Sequence, residues 1–238
     1  MSKYDFALDM KTDNSLSVIL RNMKLNSTVL EVGPAHGRMT KYMKETLNCN
    51  VDIVEIDEEA GNVAKQWARN AYLGPRLGDI EREIELHPIG KGSIFNLIAN
   101  HGTFDYIIFA DVLEHLVNPD KVLSNSKQVL NKDGSVWISI PNIAYNGVIL
   151  ELMNDQFTYR ETGLLDNTHL RFFTMNSLDK MVKKCGFRIN FEHNLQNKVN
   201  FSEFKDAYTK VPPAIASFLK FRPGGEVYQM IWELKVNE

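Results

Sequence analysis

The stretch Val29-Leu30-Glu31-Val32-Gly33-Pro34-Ala35-His36-Gly37-Arg38-Met39-Thr40-Lys41-Tyr42-Met43 decides how the chain is read. Thr28 to Val32 is a short apolar, β-favouring run that breaks at Gly33-Pro34-Ala35-His36-Gly37. The residues after the break read as the first turns of a helix. Strand, glycine turn and helix open a nucleotide-binding βαβ unit. Gly33 and Gly37 let a ligand approach the main chain, and the helix N-terminus offers it unpaired N–H groups and a positive dipole end.

Acidic spacing sharpens the reading. Glu31 stands two residues before Gly33, and the run Val51-Asp52-Ile53-Val54-Glu55-Ile56-Asp57 ends in acid. It lies roughly 20 residues after the glycines, the offset of a carboxylate that binds ribose hydroxyls. The glycines are not in the G-x-G-x-x-G order of a dinucleotide dehydrogenase. Acid, x, Gly, x, Gly, x, Gly is the first motif of the class I S-adenosylmethionine (SAM) dependent methyltransferases, and the chain resembles it at Glu31, Gly33, Ala35 and Gly37. Ala35 departs at the middle glycine, and its one added methyl predicts a slightly tighter turn with binding retained.

A second block, Phe104-Asp105-Tyr106-Ile107-Ile108-Phe109-Ala110-Asp111-Val112-Leu113-Glu114-His115-Leu116, has the continuous apolar run of a central strand covered on both faces. With Asn118-Pro119 it resembles the fourth-strand motif of the same family. The resemblance places Asp111 against the methionine part of SAM and Val112 and Leu113 near the adenine. It also implies cofactor contacts from Ile56 beside Glu55, and from Asp79 and Ile80 in Leu77-Gly78-Asp79-Ile80-Glu81, where the Asp would bind the adenine amine. A strand before Asp79 is not visible, because Leu73-Gly74-Pro75-Arg76 occupies its place. A competing placement puts the strand at Ile84-Glu85-Leu86 and the contact loop near Gly92-Ser93-Ile94. Asp79 is preferred, since a carboxylate accepts from an amino group beside a glycine turn.

The fold expected is a Rossmann-like, doubly wound α/β sheet of seven mostly parallel strands with an antiparallel last strand and helices on both faces. Ser15 to Met23 has helical spacing with Asp13 or Asn14 as cap. A helix opens at Asp57 and runs to about Ala71, and others span Ile94–Ala99, Pro119 to Leu130 and Met175 to Cys185. Strands are expected at Ser135 to Ile140 and Phe187 to His193, with Asn131 to Gly134 a turn. Asn194 to Pro223 reads as irregular, and Glu226 to Val236 alternates like the antiparallel seventh strand. Residues 1–238 are read as one domain, with a leading helical segment at 1–26 and an acceptor-site insert at 143–174.

Composition bounds the partners. Of 238 residues, 44% are hydrophobic and 24% charged, as in soluble globular proteins. The net charge of -3, with signs interspersed, gives no reason to expect a nucleic-acid partner. No apolar run approaches the ~20 residues of a membrane span. The N-terminal MSKYDFALDMKTD has charges where a signal peptide needs an apolar core. Cys49 and Cys185 are far apart and form no C-x-x-C pair, which favours free thiols in the cytoplasm.

Few side chains are diagnostic for the acceptor. Methyl transfer from a sulfonium needs alignment and, for a hydroxyl acceptor, removal of a proton. His169 and His115 are the candidate bases. His169 lies in Gly163-Leu164-Leu165-Asp166-Asn167-Thr168-His169-Leu170-Arg171-Phe172-Phe173-Thr174, which resembles a branch of the family associated with surface-sugar and other glycan pathways. Its alternative is a local corner in which Asp166, Thr168 and His169 hydrogen-bond one another. A helix starting near Asp111 would put His115 on its face, although fixing that helix to the strand end is the more frequent use of such a residue. Arg171 could hold an acceptor anion or tie down a backbone carbonyl. Tyr145, with Met153, Phe157 and Tyr159, could line an acceptor pocket or form a packing layer. Asp111, Glu114 and His115 are metal-ligand types, but ligands do not visibly converge from several elements, so no metal is expected. His36, His87, His101 and His193 have no supporting pattern. The acceptor expected is a small molecule or a glycan-linked group, methylated on oxygen or nitrogen. The alternatives are a quinone precursor, another aromatic, a protein side chain, or SAM binding without turnover.

Overall fold

The computed structural model describes residues 7–86 and 90–237. The first six residues of the N-terminal stretch and His87 therefore lie outside the described residues. In chain order the elements are α1 (Ser15–Arg21), β1 (Thr28–Val32), α2 (Arg38–Glu45), β2 (Asn50–Glu55), α3 (Glu58–Ala64), β3 (Asn70–Leu73) and α4 (Gly74–Leu77). There follow β4 (Glu83–Leu86), β5 (Gly90–Ser93), α5 (Ile94–Ala99), β6 (Phe104–Ala110), α6 (Pro119–Ser126), β7 (Leu130–Pro141) and α7 (Asn146–Leu152). The chain continues through α8 (Met175–Lys184), β8 (Phe187–Gln196), α9 (Pro213–Lys220) and β9 (Val227–Val236).

Seven strands form one sheet in the order β3-β2-β1-β6-β7-β9-β8. Strand order reverses between β1 and β6, and both pair in parallel, so a crevice opens at their carboxyl ends. β9 runs antiparallel between β7 and β8. The doubly wound mostly parallel sheet with an antiparallel last strand is the expected fold.

The apolar runs of β1 and β6 are buried on both faces because helices cover each side. One layer packs Leu30, Val32, Phe95, Ile107, Val122 and Leu178. The other packs Ile19, Val29, Met39, Met43, Ile53 and Trp137. A third cluster, with Tyr145, Leu164, Leu165, Phe204 and Leu219, binds the region after β7 to the C-terminal helix α9.

Caps fix the helix starts. The Asn14 side chain accepts the Ser17 N–H, and the Ser17 hydroxyl returns to the Asn14 N–H, closing a capping box on α1. The Asp57 carboxylate accepts from Glu59 and Ala60 at the start of α3.

Four sequence readings need correction. The helix after Asp57 ends at Ala64, and after a 3-10 turn over Lys65–Trp67 the chain enters β3, parallel to β2. Buried Asp52 sets that register, accepting both prongs of Arg69 at 2.7 and 3.0 Å and the Asn70 amide at 3.0 Å. Ile84-Glu85-Leu86 belongs to a separate antiparallel hairpin, β4–β5, outside the main sheet. Asn131 to Gly134 is part of β7, entered through a register shift opposite Phe104 and Tyr106. Asn194 to Pro223 is largely regular, with two 3-10 turns and α9. Among the described residues no helix is long and apolar enough to cross a membrane.

Candidate functional site

The site is built at the carboxyl ends of β1, β2, β6 and β7. The turn after β1 carries three left-handed residues, Gly33 at φ 71°, Ala35 at φ 49° and Gly37 at φ 79°. Gly33 is exposed, so a ligand can reach its backbone, and a Cβ there would lie 2.7 Å from Val112 Cγ2. Gly37 is the N-cap of α2 and supplies no capping side chain. Ala35 holds a conformation that costs an alanine energy and a glycine none.

Glu55 closes the turn from the next strand. Its Oε2 accepts the Ala35 N–H at 2.8 Å and its Oε1 the Asp57 N–H at 2.9 Å. Each carboxylate oxygen has a second lone pair, which leaves capacity for two ribose hydroxyls. Burial raises the Glu55 carboxyl above its ordinary value, opposed by these backbone donors. Ile56, directly after it, is 56% exposed, an apolar platform beside the acid. Deeper, Glu31 is 3% exposed and accepts the Thr40 hydroxyl at 2.6 Å, and burial pushes it up to about 7.

The loop carrying Asp79 and Ile80 lies against this strand end. A Cβ on Gly78 would stand 1.8 Å from the Glu55 carbonyl oxygen, so only glycine permits the approach. Asp79 accepts the Glu81 N–H at 3.0 Å, and Ile80 is buried in the same core layer as Val32. Glu81 then takes the Val117 and Asn118 N–H groups at 2.8 and 2.6 Å, stitching this loop to the segment after β6. A concavity of about 230 Å³ adjoins the stitch, lined by residues including Ile80, Glu81, Asn118 and Lys121.

Asp111 ends β6 at φ 56°. It accepts from Ser139 at 2.9 Å and from the Gln229 amide, and burial pushes it up to about 6 against those donors, Ser15 and the Arg38 charge. Val112 is half-buried over Gly33, whereas Leu113 is wholly buried in the core and presents no surface to a ligand.

A 3-10 turn over Leu113–His115 takes the place of the helix considered from sequence. It turns His115 toward the segment 164–171, and the His115 and His169 rings meet edge to face with centroids 4.8 Å apart. His169 Nδ1 lies 3.2 Å from the Leu164 carbonyl, and His115 Nδ1 lies 3.2 Å from the Thr168 carbonyl and 3.1 Å from its hydroxyl. A carbonyl only accepts, so Nδ1 is the donor in both rings. Asp166 fixes Thr168 through its N–H at 2.8 Å and its hydroxyl at 2.7 Å. The local corner and a chemically usable imidazole are thus the same construction.

Two further candidates sit differently. Arg171 directs Nε and Nη2 onto the Val117 carbonyl at 3.0 and 2.6 Å, the backbone-clamping arrangement. Tyr145 is 0% exposed, its ring packed 5.9 Å from Phe204 and 5.3 Å from Tyr228 between centroids, beneath the insert. Met153, Phe157 and Tyr159 are exposed.

This geometry suits an adenosyl ligand: an open glycine turn, a carboxylate with spare acceptors and a second carboxylate one strand away. Residues 10–190 match the model of the methyltransferase-domain family. The chain belongs to that family. Its cofactor is S-adenosylmethionine, and the fold is that of a class I methyltransferase.

Among curated relatives, the chain is 26% identical over 151 residues to the ubiquinone biosynthesis O-methyltransferase of Glaesserella parasuis serovar 5, covering 62% of this chain and 61% of that one. It is 23% identical over 116 residues to ribosomal RNA small subunit methyltransferase A of a Hydrogenobaculum species, covering 49% and 42%. The chain thus spans less than two thirds of the length of either. A SAM-dependent methyltransferase from Aquifex aeolicus superposes with a TM-score of 0.53 at 15% identity, covering 93% of this chain and 89% of that one. Sequence reasoning named Gly78 as the turn beside Asp79 but missed the contacts made by Glu81, Ser139 and Gln229. Those three act across separate elements, which local spacing does not report.

Proposed function

We propose that the chain transfers the methyl group of SAM in line to an oxygen or nitrogen of a small-molecule or glycan-linked acceptor in the cytoplasm. It works as one domain, with the leading helix α1 over the cofactor and the insert 143–174 at the acceptor. When bound, SAM supplies a methyl carbon activated by a positively charged sulfur. Glu55 accepts from its ribose hydroxyls, the exposed Gly33 backbone admits its chain, and Asp79 is the candidate partner for the adenine amine. Asp111 offsets its positive charge.

The observation that carries the acceptor side is the Glu114–His115–His169 cluster. Both imidazoles hold Nδ1–H on backbone carbonyls, which fixes the rings and makes the other ring nitrogen of each the atom that acts on a hydroxyl acceptor. This favours oxygen over nitrogen. Glycan linkage is supported by the resemblance of Gly163–Thr174 alone.

A second reading, an aromatic acceptor, is favoured by one cluster. Phe157 meets Tyr159 and Phe172 edge to face at 5.2 and 5.7 Å, and Phe172 lies 6.3 Å from His169. The O-methyltransferase named among the relatives acts in ubiquinone biosynthesis, which fits such a surface.

The test is calorimetry with SAM and its demethylated product, followed by methyl-label transfer into fractionated cell extract. Label in a polar saccharide fraction supports the first reading, and label in a lipid-soluble aromatic supports the second. Absence of binding to both SAM and its product removes the enzyme readings together.

A further inference from the structure

We propose that Glu114, His115 and His169 bind a divalent first-row metal ion of the Zn²⁺ or Mn²⁺ type, which holds the acceptor through its hydroxyl oxygen. The inference rests on the methyltransferase reading above and specifies how its acceptor side works.

One ligand atom from each of the three residues lies within 4.8 Å of the others. Ligands around an ion with bonds of about 2.0–2.2 Å sit roughly 3–3.5 Å apart, so small side-chain rotations close the set. Glu114 is the decisive member. It is 1% exposed, and among the described residues neither of its carboxylate oxygens has a hydrogen-bond partner. A buried carboxyl without a donor is costly, and a cation removes that cost. Burial with Asp111 and Asp166 nearby otherwise drives its carboxyl well above the ordinary range.

The surroundings are built for ligation. Metal-binding histidines ordinarily give their other ring nitrogen to a carbonyl or carboxylate, which fixes tautomer and orientation. Here Leu164 and Thr168 provide those carbonyls, and buried Asp166 holds Thr168. The main chain is locked as well, since the Leu170 and Arg171 N–H groups donate to the Glu114 carbonyl at 2.8 and 2.9 Å. Two imidazoles and one carboxylate suit first-row ions better than magnesium, and three protein ligands leave open positions. A hydroxyl with a neighbouring oxygen donor, as in a vicinal diol or catechol, fits those positions.

Coordination lowers the hydroxyl pKa, so its proton leaves to solvent. The oxygen then forms a bond to the methyl carbon as the carbon–sulfur bond breaks, and that electron pair goes to sulfur, leaving a neutral thioether. The sequence did not disclose the site because His169 joins Glu114 and His115 only through the folded chain.

The test titrates chelator-treated full-length protein with Co²⁺, followed by its visible d–d bands, and with Zn²⁺ by calorimetry. Expected is one ion per chain, with binding weakened roughly 10–100-fold in Glu114→Gln, His115→Asn and His169→Asn and unchanged in His193→Asn. SAM affinity, measured on the same samples, should stay within about twofold of wild type, which excludes misfolding as the cause. Wild-type ion affinity in all three variants, or no ion bound at millimolar concentration, overturns the proposal. Ion binding by a protein that fails to bind SAM would leave the site standing and sink the methyltransferase reading instead.

Discussion

The carboxylate of Glu55 reaches back from the end of β2 to accept the Ala35 N–H at 2.8 Å, joining the two acidic-strand motifs into one pocket wall. The same group spans the Asp57 N–H, so one side chain sets both the shape of the glycine turn and the start of α3.

Replacing Glu55 with alanine removes both acceptors and the carboxylate proposed to hold the ribose. Charged hydrogen bonds are worth about 1.5–3 kcal/mol each. SAM affinity by calorimetry should fall at least about tenfold, with Glu55→Gln intermediate. Wild-type affinity in the alanine variant would remove this carboxylate from the cofactor site.

Ala35→Gly should not destabilise the protein. The left-handed strain relieved is about 1–2 kcal/mol, and the added freedom of the unfolded chain offsets about 0.4–1 kcal/mol. Thermal unfolding should show a midpoint equal to or a few degrees above wild type, with SAM binding retained. A clear fall in the midpoint would mean the methyl makes contacts that outweigh its strain.

Gly78→Ala should have the opposite effect. The added methyl meets a backbone oxygen that cannot swing aside, 1.8 Å away. A cost of about 2 kcal/mol or more is expected, a drop of roughly 4–8 °C for a protein of this size. SAM binding should weaken with it, because the Asp79 loop is displaced.

Glu31 makes stability depend on pH. Folding raises its carboxyl from 4.5 to about 7, so the native state holds the proton more tightly than the unfolded chain. Its contribution is most favourable below about pH 4.5, declines as pH rises to about 7, and is flat above. Glu31→Gln keeps a partner for Thr40 and should flatten part of that decline, gaining on wild type by about 1–3 kcal/mol between pH 5 and pH 8 in urea unfolding. An unchanged slope would show that Glu31 is already ionised in the fold.

Arg171→Ala should lower thermal stability by about 1–2 kcal/mol without any acceptor present, because the Val117 carbonyl loses both donors. The turnover number should fall with it. A rise in acceptor KM alone, with the melting point unmoved, would instead identify Arg171 as an anion-binding residue.

What the sequence disclosed follows from how locally each feature is encoded. β1, β6 and β9 are long or doubly buried and read directly from their apolar residues. β3 stayed hidden because Asn70–Leu73 is a four-residue edge strand whose place is held by an Arg69–Asp52 pair rather than by its own pattern. Glu31, Gly33, Gly37, Glu55 and Asp111 were legible because the motif spacing and the strand ends locate them. Leu113 and Tyr145 face the interior, which spacing alone does not tell. Glu81, Ser139 and Gln229 act across elements, and no local periodicity reports such a meeting.

The interior position of β9 has a consequence for synthesis on the ribosome. Among the described residues β8 hydrogen-bonds within the sheet only to β9, and β7 keeps one side unpaired until β9 enters. A nascent chain released only as far as Gln196 therefore carries a complete β3-β2-β1-β6-β7 half and an orphaned β8. Assembly of the remaining sheet waits for Val227–Val236 to clear the exit tunnel, and during that interval the edge of β7 exposes unpaired backbone N–H and C=O groups.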